Sequence, residues 1–372
     1  MIRPCLPSCL LLLLITAVAG GAAEHKSIFP PGVKPVGPYS PGVVTADFLY
    51  VSGQGSRDLA NKLPESLEGQ VRQCLENVKT IVEAGGLRME NVVTTQVYLA
   101  DIAGIETLNR VWKEYFPKNE PARTVIGVAR MPTGTPVEIA ATALRNLSSR
   151  KVTAGAVGAG DRVFLAGSLG RGSDTASQVK SMVAGTQSAL RAASLSLRNL
   201  AYVNIYVDAS LPVAEVVKLL EKSIPRETAR TVIRTPALPS GARVQMSGVA
   251  SRTVKPSGSC AEVGDTLYCS GRAGATREVL EGLGGDLKAA GTSLGQAVAS
   301  NVYIDDLDQF GVMNKLYATY FGAVAPTRTT VQPIQSGPAS ATGDAGNPGV
   351  QVAVVVVRQV IGHKTTSGRV KK

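Results

Sequence analysis

The chain repeats itself. Within its 372 residues one succession of segments occurs three times, and a repeat of that kind fixes the architecture before any single motif is weighed. In the first copy VVTADFLYVSGQ reads as a hairpin, with β-rich segments flanking a turn at Ala46-Asp47. A helix follows in SLEGQVRQCLENVKTIVEAGG, where Leu67, Val71, Cys74, Leu75, Val78, Ile81 and Val82 keep helical spacing and Gly85-Gly86 supplies the stop. A strand is expected at 92–99, a second amphipathic helix at 105–116 and two closing strands at 122–128 and 137–144. The second copy runs from VGAGDRVFLAGS through a helix near 178–193, a strand at 202–207 and a helix at 213–223 to a closing pair within TARTVIRTPALPSGARVQMSGVA. The third has AEVGDTLYCSGR, helices near 278–290 and 310–320, a strand at 297–304 and closing strands at 327–332 and 350–358.

Three landmarks hold the register: the hairpin aspartates Asp47, Asp161 and Asp265, the strand tyrosines Tyr98, Tyr206 and Tyr303, and the arginines Arg123, Arg230 and Arg328. In the first two copies the arginine stands fifteen residues before the key position of the last strand. In the third it stands twenty-three before it, and the extra residues fall in SGPASATGDAGNPG, a loop composition in which insertion costs little.

The expected division is a signal segment at 1–23, copies at 24–148, 149–252 and 253–360, and a basic tail at 361–372. The signal reading rests on Arg3, an apolar run from Leu10 to Ala19 and small residues ending at Ala23. That run is shorter than the roughly 20 residues needed to span a bilayer, which favours cleavage near Ala23 over a retained anchor, and hence a secreted or periplasmic protein. No later segment reads as transmembrane, so no membrane association is expected after cleavage.

Cysteine and histidine narrow the chemistry. After cleavage Cys74, Cys260 and Cys269 remain, too few for a disulfide framework. A two-residue turn at Gly264-Asp265 pairs 263 with 266 and therefore 260 with 269, where side chains come close. A cross-strand disulfide and two independent small core residues both satisfy that register. The only histidines are His25 and His363, near the two ends. A Ser-His-Asp triad, a Cys-His pair or a histidine metal cage inside a folded core is thereby excluded, and no metal or cofactor is expected. The net charge of +11 is carried partly by Arg3, Lys364, Arg369, Lys371 and Lys372 at the ends. The remainder is scattered, without a basic helix or an aromatic-plus-basic strand motif, so no nucleic-acid partner is expected.

Five segments of the first copy, GPYS at 37–40, YVSGQ at 50–54, NVVTTQVYLAD at 91–101, LNRVWKEYF at 108–116 and PARTVIGVARMPTGTPVEI at 121–139, together resemble the RidA family, also called YjgF or L-PSP. The second and third copies resemble it more faintly. The resemblance implies an α+β fold of three tandem chorismate-mutase-like domains, each a mixed sheet with two helices on one face. The family closes three such protomers into a barrel-like trimer with pockets at the interfaces. Three copies in one chain would make a monomeric intramolecular pseudo-trimer, helices outside and sheets within. Family members that carry the matching arginine hydrolyse enamine and imine intermediates to 2-keto acids and ammonia; others are described as endoribonucleases.

Arg123 sits on an apolar strand, where a guanidinium is costly unless it is paired. A structural ion pair and a planar fork holding a substrate carboxylate both answer that cost, and the recurrence at Arg230 and Arg328 favours ligand binding. Glu138 lies on the next strand, and a turn near Arg130-Met131 is expected to set 123 and 138 opposite each other on one face. The resemblance makes Glu138 a pocket residue that positions water; an ordinary partner for an arginine is the plainer alternative. Gln245 and Gln351 stand at that place in the other copies, and an amide cannot accept a proton. Tyr39, Ser52, Gly53 and Asn109 match further pocket positions of the family; Thr153 and Ser257 are the counterparts of Tyr39, Val217 and Asn314 those of Asn109.

The expectation is therefore an exported, cofactor-free enamine/imine deaminase acting on small 2-imino acids, with Arg123 and Glu138 as catalytic pair at one competent inter-domain site. Tyr39, Ser52, Gly53, Asn109, Arg230 and Arg328 are expected to bind substrate. A non-catalytic pseudo-trimer that binds small carboxylate metabolites is the second reading, and an L-PSP-type endoribonuclease is the third.

Overall fold

The computed structural model describes residues 25–321, 324–334 and 346–358. The expected signal at 1–23, the tail at 361–372 and most of the extra segment at 336–349 lie outside the described residues.

The first copy contributes β1 (Lys26–Ile28), β2 (Gly42–Val44), β3 (Phe48–Gly55), α1 (Leu67–Ala84), β4 (Val92–Leu99), α2 (Ile105–Tyr115), β5 (Ala122–Gly127) and β6 (Val137–Leu144). The second contributes β7 (Arg150–Thr153), β8 (Ala156–Ala159), β9 (Arg162–Leu169), α3 (Thr175–Ala192), β10 (Leu200–Asp208), α4 (Val213–Leu220), β11 (Ala229–Thr235) and β12 (Val244–Ala250). In the third, β13 (Lys255–Ser257), β14 (Cys260–Val263), β15 (Thr266–Cys269) and β16 (Arg272–Ala275) precede α5 (Thr276–Ala289). There follow β17 (Ala297–Ile304), α6 (Phe310–Ala318), β18 (Thr327–Val331) and β19 (Gly349–Val357). Among the described residues the chain is thus an α+β fold of three sheets and six helices.

The three sheets share one strand order. It is β1-β2-β3-β6-β4-β5 in the first, β7-β8-β9-β12-β10-β11 in the second and β13-β14-β15-β19-β17-β18 in the third, where β16 also pairs with β19. One expectation needs correcting: the closing strands do not form a hairpin. The α2 crossover delivers β5 parallel to β4, with Arg123 beside Thr95, whereas β6 returns antiparallel on the other side of β4, with Glu138 beside Tyr98. Positions 123 and 138 are therefore separated by the width of β4 and do not face each other.

The helices follow from the spacing read above. Ser66 caps α1 by accepting from the Gly69 N–H, and the buried face Val71, Cys74, Leu75, Val78, Ile81 and Val82 closes over the sheet. Each copy has such a core between its helices and one sheet face. The opposite faces pack against one another. At one level Tyr50, Phe164, Tyr202 and Tyr268 share an apolar cluster drawn from all three copies. At another, Tyr98, Tyr206 and Tyr303 meet with Ile126, Ile233 and Val331.

Two polar side chains inside this shared interior are paired across copies. Arg162, 2 % exposed, lies 4.7 Å over the Phe48 ring and donates to Thr266 Oγ1 at 3.0 Å and to Asp161 Oδ1 at 2.8 Å. Gln96 Nε2 donates to the Tyr206 hydroxyl at 2.8 Å. A cavity of about 140 Å³ lies among them, bordered by Thr95, Thr124, Asn204, Ser247, Asn301 and Thr329.

The contacts run round in one sense. The first copy's Gly127 N–H donates to Ala237 O of the second at 3.0 Å, and Gly271 N–H of the third donates to Arg230 O of the second at 3.1 Å. Gln332 of the third then bridges back to Arg130 of the first. Each arginine-bearing strand leans on the next copy, and the third returns to the first.

Cys260 and Cys269 are joined by a disulfide between β14 and β15, while Cys74 is free and buried. Closing this short loop restricts the unfolded chain. Replacing both cysteines with alanine is expected to cost about 2 kcal/mol. Urea melts with and without reductant check it: reductant lowers the wild-type midpoint and leaves the double variant unmoved.

Candidate functional site

A cleft of about 1030 Å³ opens where the third copy meets the first, bordered by Tyr39, Gly53 and Glu138 on one side and Phe310, Arg328 and Thr330 on the other. Its deepest charged group is Arg328 on β18, 3 % exposed. The α6 residues Phe310, Asn314 and Tyr317 lie at helical spacing on one face and receive it. Arg328 Nη2 donates to Asn314 Oδ1 at 2.7 Å, and its guanidinium carbon lies 5.4 Å from the Phe310 ring, 4.8 Å from Tyr317 and 5.1 Å from Tyr39. Ring faces stabilise a desolvated cation but accept few of its hydrogen bonds. Nη1 is buried with no partner. A fork left with one open prong is suited to an incoming carboxylate.

The first copy lies directly over this arginine. A β-carbon at Gly37 would stand 2.6 Å from Arg328 Nη2, so the GPYS backbone passes where no side chain fits. Ser40 fastens the segment, its N–H donating to Pro326 O at 3.1 Å and its hydroxyl to Ala325 O at 2.6 Å.

Glu138 reaches the same cleft from β6. A β-carbon at Gly53 would stand 2.0 Å from Glu138 Oε1, so glycine there is a condition for the carboxyl's position. The side chain is 6 % exposed and accepts from the backbone N–H of Thr330 on the third copy. Burial disfavours its charged form and outweighs the Arg328 charge and the Thr330 hydrogen bond, which act the other way; its pKa is raised to about 8. At neutral pH this carboxyl is largely protonated and can give up a proton. Burial also raises the pKa of Tyr39, whose phenol stays a hydrogen-bond donor.

The expected pairing of Arg123 with Glu138 is corrected: the guanidinium beside Glu138 is that of Arg328. Arg123 and Asn109 are together, at 2.8 Å, on the strand and helix that lead toward the second copy. Arg123 lies 4.7 Å over Trp112 and, like Arg328, keeps a buried Nη1 without a partner. Arg230 departs from both. Its helix presents Val217 and Leu220 where the others present asparagine and an aromatic ring. The guanidinium donates instead to Pro225 O, Arg226 O and Thr228 O of its own loop. Ser52 is 1 % exposed, its hydroxyl accepts from Gln54 Nε2 at 2.7 Å, and it does not border the cleft.

Sequence reasoning did not place Gly37, Phe310, Asn314 or Thr330 in the site. Asn314 was visible as the third copy's counterpart of Asn109. The missing information was the direction of the ring of contacts, which decides which copy's arginine meets Glu138.

The endoribonuclease L-PSP family model matches residues 31–145 and 250–335, stretches that hold every cleft residue named above. Human 2-iminobutanoate/2-iminopropanoate deaminase is 38% identical over 112 residues, 30% of this chain and 82% of its own. A RutC family protein of Saccharolobus solfataricus is 40% identical over 108 residues, 28% of this chain and 86% of its own. Among solved structures, that of the E. coli YjgF gene product is 34% identical, covers 32% of this chain and 99% of its own, and has a TM-score of 0.32.

A pH dependence follows from Glu138. Its ordinary value of 4.5 holds in the unfolded chain, while the folded value is about 8. Its contribution to stability is then fully present below about 4.5 and is lost as pH rises through about 8, because the unfolded state ionises first. Urea melts at pH 5 and pH 8 are expected to show that fall in the wild type and a smaller one in Glu138→Gln; parallel behaviour of the two proteins would contradict the buried, protonated carboxyl.

Proposed function

The chain belongs to the endoribonuclease L-PSP family, and from that membership and the cleft we propose that it is an exported enamine/imine deaminase converting small 2-imino acids to 2-keto acids and ammonia. The copies at 24–148, 149–252 and 253–360 form an intramolecular pseudo-trimer, and its one competent site is the face between the third and the first. The protein acts outside the cytoplasm after loss of residues 1–23, as a monomer, on small carboxylate metabolites. The observation that carries the reading is the unpaired Arg328 Nη1 in the same cleft as a carboxyl whose pKa is raised to about 8.

The chemistry fits those two groups. Arg328 holds the substrate carboxylate, with Asn314 fixing the guanidinium. For an enamine, Glu138 gives its proton to the β-carbon, the C=C electrons take that proton, and an iminium results. The ionised carboxylate then takes a proton from water as the water oxygen bonds to C2, giving a carbinolamine. A second proton transfer, from Glu138 to nitrogen, expels ammonia as the C–N bond breaks; the hydroxyl proton passes to the Glu138 carboxylate, leaving the 2-keto acid and the acid in its starting form. One water is consumed and no redox step occurs. A pKa near neutrality suits a group that must act in both directions. Tyr39, whose ring lies 5.1 Å from the Arg328 guanidinium carbon, orients the substrate.

Release of ammonia and 2-keto acid from freshly generated 2-aminoacrylate by residues 24–372 tests it. Arg328→Ala and Glu138→Gln are each expected to lose about a hundredfold in kcat/KM. Arg230→Ala, whose guanidinium is occupied by its own loop, is expected to stay within about threefold, the scale of an indirect effect. No acceleration over the spontaneous reaction in the wild type would remove the deaminase reading.

A further inference from the structure

Residues two apart on a strand share a face, and β18 turns Arg328 and Thr330 to the cleft. Thr327 and Thr329, on its other face, border the interior cavity. Thr330 is 4 % exposed and gives its N–H to the Glu138 carboxyl. Its hydroxyl oxygen is buried and, among the described residues, has no hydrogen-bond partner. A hydroxyl taken out of water and left unmet costs stability.

The strand does not need that hydroxyl. The same place, two residues after the arginine, is Val125 in the first copy and Val232 in the second. Each pairs with its neighbouring strand as Thr330 pairs with Val302. Valine has the branched shape of threonine without the oxygen, so register, packing and backbone N–H are all obtained without it. The hydroxyl thus occurs on the strand that faces Glu138 and is missing from the two whose arginines do not meet it. We infer that Thr330 positions the attacking water, its Oγ1 and the Glu138 carboxyl holding one water molecule between them in the cleft. The catalytic part of this inference rests on the deaminase reading; the water site does not. Two polar partners in a polar cleft are what an ordered water requires. The attack also asks for two acceptors. A water that directs one hydrogen to the ionised Glu138 and the other to Thr330 Oγ1 is left with its lone pairs free, and these meet C2 of the iminium. The carboxylate takes the proton as the oxygen–carbon bond forms. The threonine takes none and fixes the direction of attack.

A crystal structure of residues 24–372 and kinetics with freshly generated 2-aminoacrylate test this together. The wild type is expected to show a water within about 3.2 Å of both Thr330 Oγ1 and a Glu138 carboxyl oxygen, and Thr330→Val to lack it. Thr330→Val is expected to lose about tenfold in kcat with KM within about twofold, since Arg328 still binds the substrate. Thr330→Ser, which restores the hydroxyl, is expected to stay within about threefold of the wild type. The pH profile of Thr330→Val keeps its Glu138 midpoint, because the N–H that the carboxyl accepts is retained. Unfolding midpoints establish that each variant is folded; should Thr330→Val fail to fold, Thr330→Ala is read in its place. Undiminished kcat without the hydroxyl, a displaced pH midpoint, or wild-type density with no water between the two groups overturns the inference. No acceleration by the wild type would remove the deaminase reading, and the density then still decides whether Thr330 and Glu138 hold a water.

Discussion

A sheet with helices on one face has a second face to cover, and here each sheet covers the others. Tyr50, Phe164, Tyr202 and Tyr268 meet in one cluster, and Tyr98, Tyr206 and Tyr303 in another. At roughly 25 cal/mol per Å² of apolar surface removed from water, burial on that scale is the main term holding the copies in register. The buried polar groups refine it. Arg162 is satisfied only because Asp161, Thr266 and the Phe48 ring, from three different copies, converge on it, so a shift of one sheet past another would strand a guanidinium in an apolar interior.

The site is a by-product of that closure. β18 can bring Arg328 to Glu138 only because the third copy leans on the first, and Glu138 can remain protonated only because the same contact dries it. One interface therefore supplies both the fixed cation and the raised pKa. The other two faces show what happens when one part is altered: with Val217 and Leu220 in place of an asparagine and a ring, Arg230 turns away; with Gln245 in place of glutamate, the arginine keeps its pose and the proton is lost.

The repeat made most of this legible from sequence. Helices at 105–116 and 310–320, read from apolar spacing, correspond to α2 and α6 within a turn, and the 297–304 strand coincides with β17. The misreading was local in origin: 122–128 and 137–144 are neighbours in sequence with a short connection, which suggests a hairpin, yet β4 lies between them. Sequence distance reports which strands are connected, whereas pairing depends on which crossover came before. The partner of Glu138 was hidden for a related reason. Three arginines in equivalent settings look alike until the handedness of the closure is known, and no single copy encodes it. Arg230 was misplaced because the signal lay on α4, two residues of one helix face, rather than on the arginine.

Tyr39, Gly53 and Glu138 come from the first copy and Asn314, Arg328 and Thr330 from the last. During synthesis the carboxyl leaves the ribosome long before the guanidinium that completes its pocket. A chain halted ahead of β18 lacks both the Arg328 charge and the Thr330 N–H that reach Glu138. The cleft is consequently all-or-none with respect to chain completion: only when the last strands have emerged does the carboxyl of the first copy meet the guanidinium of the third.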